Sequence, residues 1–404
     1  MGRRCTATEA DPRCMSALPA RPGTPGGVSW LDGPAPVTAA PDPDRKQNSA
    51  LLSLNSASSR YSDSLMETMR ALVATAVGEP ADVLRLETWP IPTAGPRQVR
   101  VRVQAAPINP NDLHIMRGRY GIAPPMPTPL GQEAVGLVDA LGDGVNQLRI
   151  GQRVVTVGLL GTWQDYIVHN AAQVLPVPDG LSTSSAAQLV TNPLTATLLV
   201  SELDVQPGEW LLQTAAGSTV GRLVLQLSGH QGFKTINVVR RQSAAAEIRA
   251  LGGTEVISTD VDDLRTRVAE IAGGEGVRKA IDAVGGQIGA DVSRSLSPFG
   301  TTLVYGALST HRQTEPGKLT VPLFARSLIY ESKTVRGFWL YRWFQTATPK
   351  QIRGALTNVF QLADSGVLRI PEGTPVRPED AAEGLRLAEA PGRTAKPLLI
   401  FSQQ

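Results

Sequence analysis

The sequence predicts an α/β protein of two units: a β-rich unit shaped as a partly open barrel, and a doubly wound parallel sheet. Two observations carry this prediction. From residue 69 to about 190, short runs alternate polar and apolar residues and are separated by Gly and Pro. From about residue 193, strand-like and helix-like segments alternate regularly, which is typical of a parallel sheet covered by helices.

The composition is that of a globular protein with a sizeable core. Hydrophobic residues make up 42% and charged residues 19% of the 404 residues, and the net charge is only +3. A near-neutral chain with 5% aromatic residues argues against nucleic acid as a partner. No apolar run reaches the roughly 18–20 residues of a membrane helix, so we expect no membrane span.

Residues 1–68 are interpreted as an N-terminal extension that forms no packed structure. They are rich in Pro, Gly, Ser and Ala and show no sustained hydrophobic periodicity. They contain acidic as well as basic residues, and acidic residues are rare in transit peptides. The only cysteines, Cys5 and Cys14, lie in this segment, so neither a disulfide framework nor a four-cysteine zinc site is expected. We expect a cytoplasmic location, and organelle import stays an alternative.

The first unit contains a series of short strands punctuated by Pro and Gly. Residues 98–103 give the clearest pattern, because Val99, Val101 and Val103 alternate with polar residues as in a half-buried strand. Strands are predicted over residues 71–77, 98–103, 134–141, 153–157 and 163–169. Strands at this short spacing favour an antiparallel, partly open barrel.

The second unit repeats a strand–helix pattern. Strands are predicted over 209–213, 235–239, 255–258, 279–284 and 301–305, with helices over 220–227, 244–251 and 263–272. Because crossover connections between parallel strands are right-handed, this series predicts a doubly wound sheet. A final strand over 396–401 follows much later in the chain.

A glycine-containing turn between the first strand and helix of this series is the first chemical signal. Gly217 would let the backbone turn tightly and approach a pyrophosphate, and Gly221 would let the helix pack closely on the strand. The N–H groups of Ser218, Thr219 and Val220 would then face the phosphates. The pattern departs from a strict G-x-G-x-x-G, and a tight turn without a ligand is the alternative.

Two arginines end the next strand, where an NAD site usually has an acidic residue. Arg240 and Arg241 follow residues 235–239, and a guanidinium suits a ribose 2′-phosphate through charge-assisted bonds. The sequence therefore predicts NADPH as the cofactor. A solvated pair of surface arginines is the alternative interpretation.

Several motifs now support a resemblance to a known family. They are Ile108-Asn109-Pro110-Asn111-Asp112, Gly118-Arg119-Tyr120, Gly161-Thr162-Trp163, Asn192-Pro193-Leu194-Thr195-Ala196, Gly217-Ser218-Thr219-Val220-Gly221, Tyr305-Gly306 and Gly337-Phe338-Trp339-Leu340. From Met69 onward the chain resembles the medium-chain dehydrogenase/reductase superfamily, and within it the zinc-free, mitochondrial-type 2-enoyl thioester reductases. The quinone reductases of the superfamily share much of this pattern.

The resemblance implies a domain organisation. Residues 69–190 and 362–404 would form the GroES-like catalytic domain, and residues 191–361 the Rossmann cofactor-binding domain. It also implies cofactor contacts from a set of residues beyond the glycine turn and the arginine pair. These are Asn192, Tyr305, Gly306, Ala307, Leu308, Phe338, Trp339, Leu340 and Lys396. For Asn192 a helix N-cap, and for Lys396 a solvated surface position, are the structural alternatives.

No metal is expected. Zinc alcohol dehydrogenases of the superfamily have a Cys where Asn109 stands and Gly-His-Glu where this chain has Gly131-Gln132-Glu133. Without a Lewis acid to polarise an oxygen, hydride must reach a carbon that is already electrophilic, such as Cβ of a C=C bond conjugated to a carbonyl. The carbonyl oxygen then becomes an enolate and Cα takes a proton, so the protein must supply hydrogen-bond donors and a proton source.

The resemblance assigns two catalytic candidates. Tyr120 would give the proton to Cα directly or through water, and Trp339 would line the pocket of substrate and nicotinamide. Structural roles in a Pro-rich loop, for Tyr120, and in packing, for Trp339, are the alternatives. Arg117 and Arg119 flank the tyrosine and could attract the phosphates of coenzyme A or an acidic carrier protein.

The predicted activity is the NADPH-dependent reduction of a 2-enoyl thioester of coenzyme A or acyl carrier protein, which would place the chain in fatty acid metabolism. An NADPH:quinone or enone reductase is the alternative within enzymes. A member that binds the cofactor without turnover is the alternative from another class. The resemblance also implies a homodimer, with residues 335–340 at a sheet edge that pairs with its mate.

Overall fold

The computed structural model describes residues 67–402, apart from residues 159, 275, 310–312, 314, 316–317, 391 and 393–394. The predicted extension, with Cys5 and Cys14, therefore falls outside the described residues except at its last two positions. No helix in the described part of the chain is both long and apolar enough to cross a membrane.

The first unit is built of short strands, as predicted, and also contains a few brief helices that the sequence pattern did not predict. Its strands are β1 (Thr68–Ala74), β2 (Leu84–Pro90), β3 (Gln98–Pro107), β4 (Thr128–Pro129), β5 (Val135–Leu141), β6 (Arg153–Thr156), β7 (Tyr166–Asn170) and β8 (Val174–Pro176). Its helices are α1 (Pro80–Val83), α2 (Pro110–Met116) and α3 (Thr183–Ala186). The alternation read from residues 98–103 buries Val99, Val101 and Val103 on one face of β3.

The second unit is an open parallel sheet covered by helices. It contains α4 (Thr191–Glu202), β9 (Trp210–Gln213), α5 (Thr219–Gln231), β10 (Lys234–Val239), α6 (Ala245–Ala250), β11 (Glu255–Ser258), α7 (Leu264–Ala272), β12 (Val277–Asp282), α8 (Gly286–Arg294), β13 (Leu296–Val304), α9 (Ala325–Tyr330) and β14 (Thr334–Gly337). The strand order is β11-β10-β9-β12-β13-β14, all parallel. The predicted α/β fold class is confirmed.

The chain then returns to the first unit. After α10 (Leu340–Thr346) and α11 (Pro349–Asp364) come β15 (Thr374–Val376), α12 (Ala381–Glu389) and β16 (Pro397–Ile400). Strand β16 pairs antiparallel with β3, in a seven-stranded sheet whose main path is β15-β16-β3-β5-β6-β8 and whose β7 also pairs with β3. Strands β2, β1 and β4 form a separate three-stranded sheet.

Several predicted boundaries differ from the elements observed, among them the start of β1 and the division between the two units. Strand β1 already begins at Thr68, and the division between residues 361 and 362 falls inside the continuous helix α11. That helix packs Leu356 and Val359 into the same core as Leu194 of α4.

The two units meet along a cleft at the carboxyl edge of the parallel sheet. The chain runs outward from β9 through β10 to β11, then crosses to the other side of β9 for β12 and β13. The carboxyl ends of β9 and β12 therefore flank the point where the strand order reverses, which is where open α/β sheets bind ligands.

Candidate active site

One large cavity occupies this cleft, with a volume of about 1330 Å³. That exceeds the roughly 300–1,000 Å³ of a typical small-molecule site, so it has room for a dinucleotide and a second molecule. The structure brings nearly all predicted site residues together on its wall, whereas Gly221 lies behind it. Those on the wall are Tyr120, Asn192, Gly217, Ser218, Thr219, Val220, Arg240, Arg241, Tyr305, Gly306, Ala307, Leu308, Phe338, Trp339, Leu340 and Lys396.

The glycine turn between β9 and α5 offers backbone donors to this cavity. Ser218 is the N-cap of α5, and its hydroxyl accepts from the Gly221 N–H at 3.1 Å. This cap leaves the N–H groups of Thr219 and Val220 as first-turn donors without an intrahelical acceptor. The amino end of a 13-residue helix carries partial positive charge, so the turn suits an anion such as a pyrophosphate.

The two glycines of the turn differ in what they allow. A Cβ on Gly221 would lie 2.6 Å from the Ala216 carbonyl oxygen, so this position brings the helix close to the turn. A Cβ on Gly217 would meet nothing within 4 Å, and the residue with positive φ is Ala215, at 50°. The expectation that Gly217 makes the turn tight is therefore wrong. Its bare backbone instead leaves open space beside the cavity.

Arg240 and Arg241 lie exposed on the cavity wall just beyond the end of β10. Within the described residues neither has an ion pair. Arg222, a cavity-lining arginine that sequence reasoning missed, is held differently, because it pairs with Glu247 at 2.7 Å and donates to the Gly217 carbonyl at 3.0 Å. As far as the described residues show, both guanidinium groups are therefore available to an anionic ligand group.

The segment that follows β13, residues 305–308, lines the cavity at the carboxyl edge of the sheet. The Tyr305 hydroxyl is buried next to the Ser218 side chain, and among the described residues it has no partner at good hydrogen-bond geometry. Burial, together with the nearby Asp282 carboxylate, raises the pKa of Tyr305 above its ordinary value, so the phenol is neutral. An unsatisfied buried hydroxyl beside the glycine turn marks a place for a polar ligand atom.

Tyr120 and Trp339 meet on the opposite wall. The Trp339 Nε1–H donates to the Tyr120 hydroxyl at 2.9 Å, and the rings pack edge to face with centroids 5.6 Å apart. The side chain of Asn111 also approaches the Tyr120 hydroxyl. Burial raises the pKa of Tyr120 above its ordinary value, while Trp339 and Asn111 oppose that rise, so the group is a protonated, hydrogen-bonded phenol at neutral pH.

Two further residues keep Trp339 in place. Tyr341 stacks against its ring with centroids 5.0 Å apart and also lines the cavity. Gly121 faces the indole so closely that a Cβ there would lie 2.6 Å from Cη2. The glycine next to Tyr120 therefore makes the space that the indole occupies.

A buried polar cluster forms the floor behind Tyr120. Asn109 donates through Nδ2 to Glu133 Oε1 at 3.0 Å and accepts from Lys396 Nζ. The other oxygen of Glu133 accepts from the N–H groups of Val190 and Thr191, at 3.1 and 2.8 Å, at the start of α4. Lys396 is 6% exposed, so its interpretation as a solvated surface lysine is wrong.

Asp112 and Gln132 extend this cluster toward Tyr120. Asp112 is fully buried, and its carboxylate accepts from the Asn109 N–H at 2.8 Å and from Gln132 Nε2 at 3.0 Å. Gln132 Oε1 in turn accepts from Asn111 Nδ2 at 2.9 Å. Burial raises the pKa of Asp112 to about 7, against the opposing effect of its two donors.

Two interpretations of individual residues are corrected. Asn192 is not the N-cap of α4, because Val190 holds that position and Asn192 lies within the first turn, on the cavity wall. Arg117 does not face a ligand, since it pairs with Glu79 at 3.0 Å and Glu389 at 2.7 Å. Arg119 does line the cavity.

Of the floor residues, sequence reasoning named Lys396 as a cofactor contact and missed Asn109, Asp112, Gln132 and Glu133 as functional candidates. The Asn109-x-x-Asp112 spacing is a capping pattern that could have linked those two residues. The contact of Asn109 with Lys396 joins residues 287 positions apart, and no local sequence pattern predicts it.

Comparisons with known proteins agree with this geometry. Residues 95–179 match the model of the alcohol dehydrogenase GroES-like domain, and residues 219–359 match the zinc-binding dehydrogenase model. The human mitochondrial enoyl-[acyl-carrier-protein] reductase is 32% identical over 355 residues, which cover 85% of this chain and 92% of that protein.

Solved structures extend the similarity. A quinone oxidoreductase of Pseudomonas syringae pv. tomato DC3000 superposes with a TM-score of 0.74 at 28% identity, covering 83% of this chain and 100% of that one. A complex of Etr1p with NADP and crotonyl-CoA has a TM-score of 0.73 at 24% identity, with the same coverage of both chains, which shows a shared fold.

The name of the second family model implies zinc, and the residues of the floor do not suit it. Zinc binds thiolate, imidazole and carboxylate groups, whereas the floor residues that line the cavity are the amides of Asn109 and Gln132 and the ammonium of Lys396. Glu133 already accepts three hydrogen bonds, and the Lys396 ammonium bound to Asn109 would repel a dication. In the described part of the chain, no group of three or more His, Cys, Asp or Glu side chains could hold a metal ion.

Proposed function

The chain belongs to the medium-chain dehydrogenase/reductase superfamily of oxidoreductases, and we propose that it reduces a conjugated C=C bond, above all that of a 2-enoyl thioester, with NADPH. One observation carries the proposal. The Tyr120 hydroxyl, held by Trp339, lies on the wall of the same cavity as the phosphate-binding turn at the start of α5. The proposed proton donor and the proposed dinucleotide site would thus share one cavity.

The residues of the α/β unit fit NADPH. Thr219 and Val220 would donate backbone N–H groups to the pyrophosphate, and Arg240 and Arg241 would bind the 2′-phosphate. Asn192, Phe338, Leu340 and the segment of Tyr305, Gly306, Ala307 and Leu308 would enclose the remainder, with Lys396 at the floor. When bound, the nicotinamide supplies a hydride.

The residues around Tyr120 supply the rest of the reaction. Hydride addition at Cβ of the substrate moves an electron pair onto the thioester oxygen as an enolate. Tyr120 then gives its hydroxyl proton to Cα as the enolate electrons return, which completes the saturated thioester. The phenolate that remains accepts hydrogen bonds from its neighbours until water restores its proton. Trp339 acts in this step as the donor that stabilises the phenolate.

A quinone reductase is the second candidate, favoured by the Pseudomonas syringae quinone oxidoreductase. In that case hydride goes to the quinone and Tyr120 has a structural role. Three acceptors offered in parallel separate the candidates: crotonyl-CoA, a longer 2-enoyl-CoA and a benzoquinone, with NADPH oxidation followed at 340 nm. We expect turnover of the enoyl thioesters and a loss of about 10²–10⁴-fold in Tyr120→Phe.

Other outcomes would replace the proposal. Turnover of quinone alone, unaffected by Tyr120→Phe, would assign the chain to the quinone reductases. Tight NADPH binding with no turnover of any acceptor would make it a binding protein.

The proposed assembly is a homodimer with a small-molecule substrate and no nucleic-acid or membrane partner. Strand β14 is the edge of the six-stranded sheet and pairs only with β13 in the described chain, so its outer backbone groups are open to a mate. Light scattering that returns the mass of one chain would refute the dimer.

Within one chain, the proposed Rossmann unit would extend from residue 191 to the end of α11.

A further inference from the structure

A single acidic side chain stands among the basic side chains of the cavity wall. The described residues of the wall include several cations, which are Arg119, Arg222, Arg240, Arg241, Arg369 and Lys396. Among the same residues, Glu247 is the only Asp or Glu. A carboxylate repels an anionic ligand, so its presence in a wall that otherwise attracts anions requires a physical reason.

Arg222 binds this acid from the neighbouring helix. It is the fourth residue of α5, and its Nη2 donates at 2.7 Å to Oε1 of Glu247, which lies in the first turn of α6. Its Nε donates to the Gly217 carbonyl oxygen at 3.0 Å. The guanidinium of Arg222 therefore spans the gap between the glycine turn and the helix that follows Arg240 and Arg241.

This gap is where the adenosine ribose of a bound NADPH would lie. With the pyrophosphate on the glycine turn and the 2′-phosphate on Arg240 and Arg241, the ribose that joins them would occupy the space between. A guanidinium has five N–H groups, and the two bonds above use two of those on Arg222. In the described part of the chain no other acceptor binds the remaining three, and the side chain is 23% exposed on the cavity wall.

We propose that Arg222 is a specificity-determining residue for the 2′-phosphate of NADPH, acting beside Arg240 and Arg241. Its remaining N–H groups would donate charge-assisted hydrogen bonds to phosphate oxygens, and its positive charge cancels that of Glu247. Without Arg222, the carboxylate would face the ribose as in an NAD site, where an acid accepts from the 2′-hydroxyl and repels a 2′-phosphate. This inference rests on the proposed function, because it takes NADPH as the ligand.

Isothermal titration calorimetry of the full chain with NADPH and with NADH tests the proposal without turnover. In Arg222→Met, which keeps an apolar stem and removes the cation, we expect Kd for NADPH to rise by about tenfold or more, since charge-assisted bonds are lost and Glu247 is left unpaired. Kd for NADH should change by less than about threefold, because NADH has no 2′-phosphate. Equal losses for both cofactors would show that Arg222 only supports the glycine turn, and would overturn the proposal.

A second substitution separates the two roles of Arg222 more sharply. Adding Glu247→Gln to Arg222→Met removes the unpaired acid, so we expect it to recover about threefold or more of the lost NADPH affinity. A structural role for Arg222 predicts no recovery, because the turn would still lack its support, and that result would overturn the proposal. Arg267→Met on α7 is the matched control, since Arg267 pairs with Glu270 outside the cavity lining and its loss should leave both Kd values unchanged.

Failure of the proposed function would look different. If the wild-type protein binds NADPH more tightly than NADH but reduces no enoyl thioester, the proposed reaction fails, and the calorimetry of Arg222→Met still decides the role of Arg222. If the wild-type protein binds both cofactors equally, this inference is overturned, whereas turnover of crotonyl-CoA would still identify an enoyl thioester reductase.

Discussion

Trp339 and Tyr120 are separated by 219 positions in the chain, yet the indole N–H of one donates to the hydroxyl of the other at 2.9 Å. Trp339 precedes α10, after the last strand of the parallel sheet, and Tyr120 follows α2 of the β-rich unit. The hydrogen bond therefore crosses the cleft, and Tyr120 keeps this geometry only while the two units stay together.

The indole nitrogen can be removed without removing the ring. In Trp339→Phe we expect kcat for crotonyl-CoA to fall by about tenfold, because the phenolate loses one of its donors, with NADPH affinity altered less. Stopped-flow oxidation of NADPH at saturating substrate measures this. Trp210→Phe on β9, outside the cavity lining, is the matched control and should keep the wild-type rate. A Trp339→Phe enzyme as fast as the control would remove Trp339 from the chemistry.

The space beside Tyr120 predicts a second effect. Gly121→Ala puts a Cβ 2.6 Å from the Trp339 ring, which is rigid and already held by Tyr120 and Tyr341. The indole must shift, and we expect kcat to fall by about tenfold to a hundredfold, because a small misplacement of a catalytic group is costly. Steady-state kinetics measures this loss.

The control is Gly354→Ala, in an exposed position of α11 where a Cβ meets nothing. There we expect unchanged kinetics and a gain of about 0.4–1 kcal/mol in the free energy of unfolding, since the unfolded chain loses freedom. A Gly121→Ala enzyme with wild-type kcat would mean that the indole position is unimportant.

Much of the fold was readable because its signals are local. The strand over 255–258 was predicted with the bounds observed, and the turn before α5 was placed correctly between strand and helix. Periodicity reports which face of an element is buried, and turn residues report where the element ends. Both signals lie within a few residues of each other.

The site was less readable because its key contacts are distant in sequence. Tyr120 and Trp339 were identified as candidates through a family resemblance. The hydrogen bond between Lys396 and Asn109, and the burial of that lysine, depend instead on the antiparallel pairing of β16 with β3. Arg117 was misinterpreted for the same reason, since its partner Glu389 lies on α12. Long-range neighbours decide whether a charged residue serves a ligand or the fold.

Cofactor preference tests the arginine pair. In the double variant Arg240→Ala, Arg241→Ala we expect KM for NADPH to rise by about tenfold to a hundredfold, because charge-assisted bonds to the 2′-phosphate are lost, while KM for NADH changes little. Arg249→Ala, exposed on α6 and outside the cavity wall, is the control for a lost surface charge. If KM rose equally for NADPH and NADH, Arg240 and Arg241 would be solvated surface residues with no role in cofactor preference.

The buried carboxyl of Asp112 predicts how stability depends on pH. Its pKa is about 7 in the folded protein against an ordinary value of 3.8, so between these limits the folded state binds the proton more tightly than the unfolded state. Its contribution to stability is therefore complete below about pH 4 and is lost as the pH rises through 7. Asp112→Asn has no such proton to lose.

Urea unfolding of Asp112→Asn and wild type at pH 5, 6, 7 and 8 measures this loss. We expect the variant to gain free energy of unfolding relative to wild type as the pH rises to 7, by at most about 1.4 kcal/mol per pH unit, and to gain little more above it. Asp263→Asn is the control, because that exposed N-cap carboxylate has a lowered pKa and is ionised throughout this range. Its difference from wild type should be the same at every pH, and an equally flat difference for Asp112→Asn would mean that Asp112 is ionised in the folded protein well below pH 7.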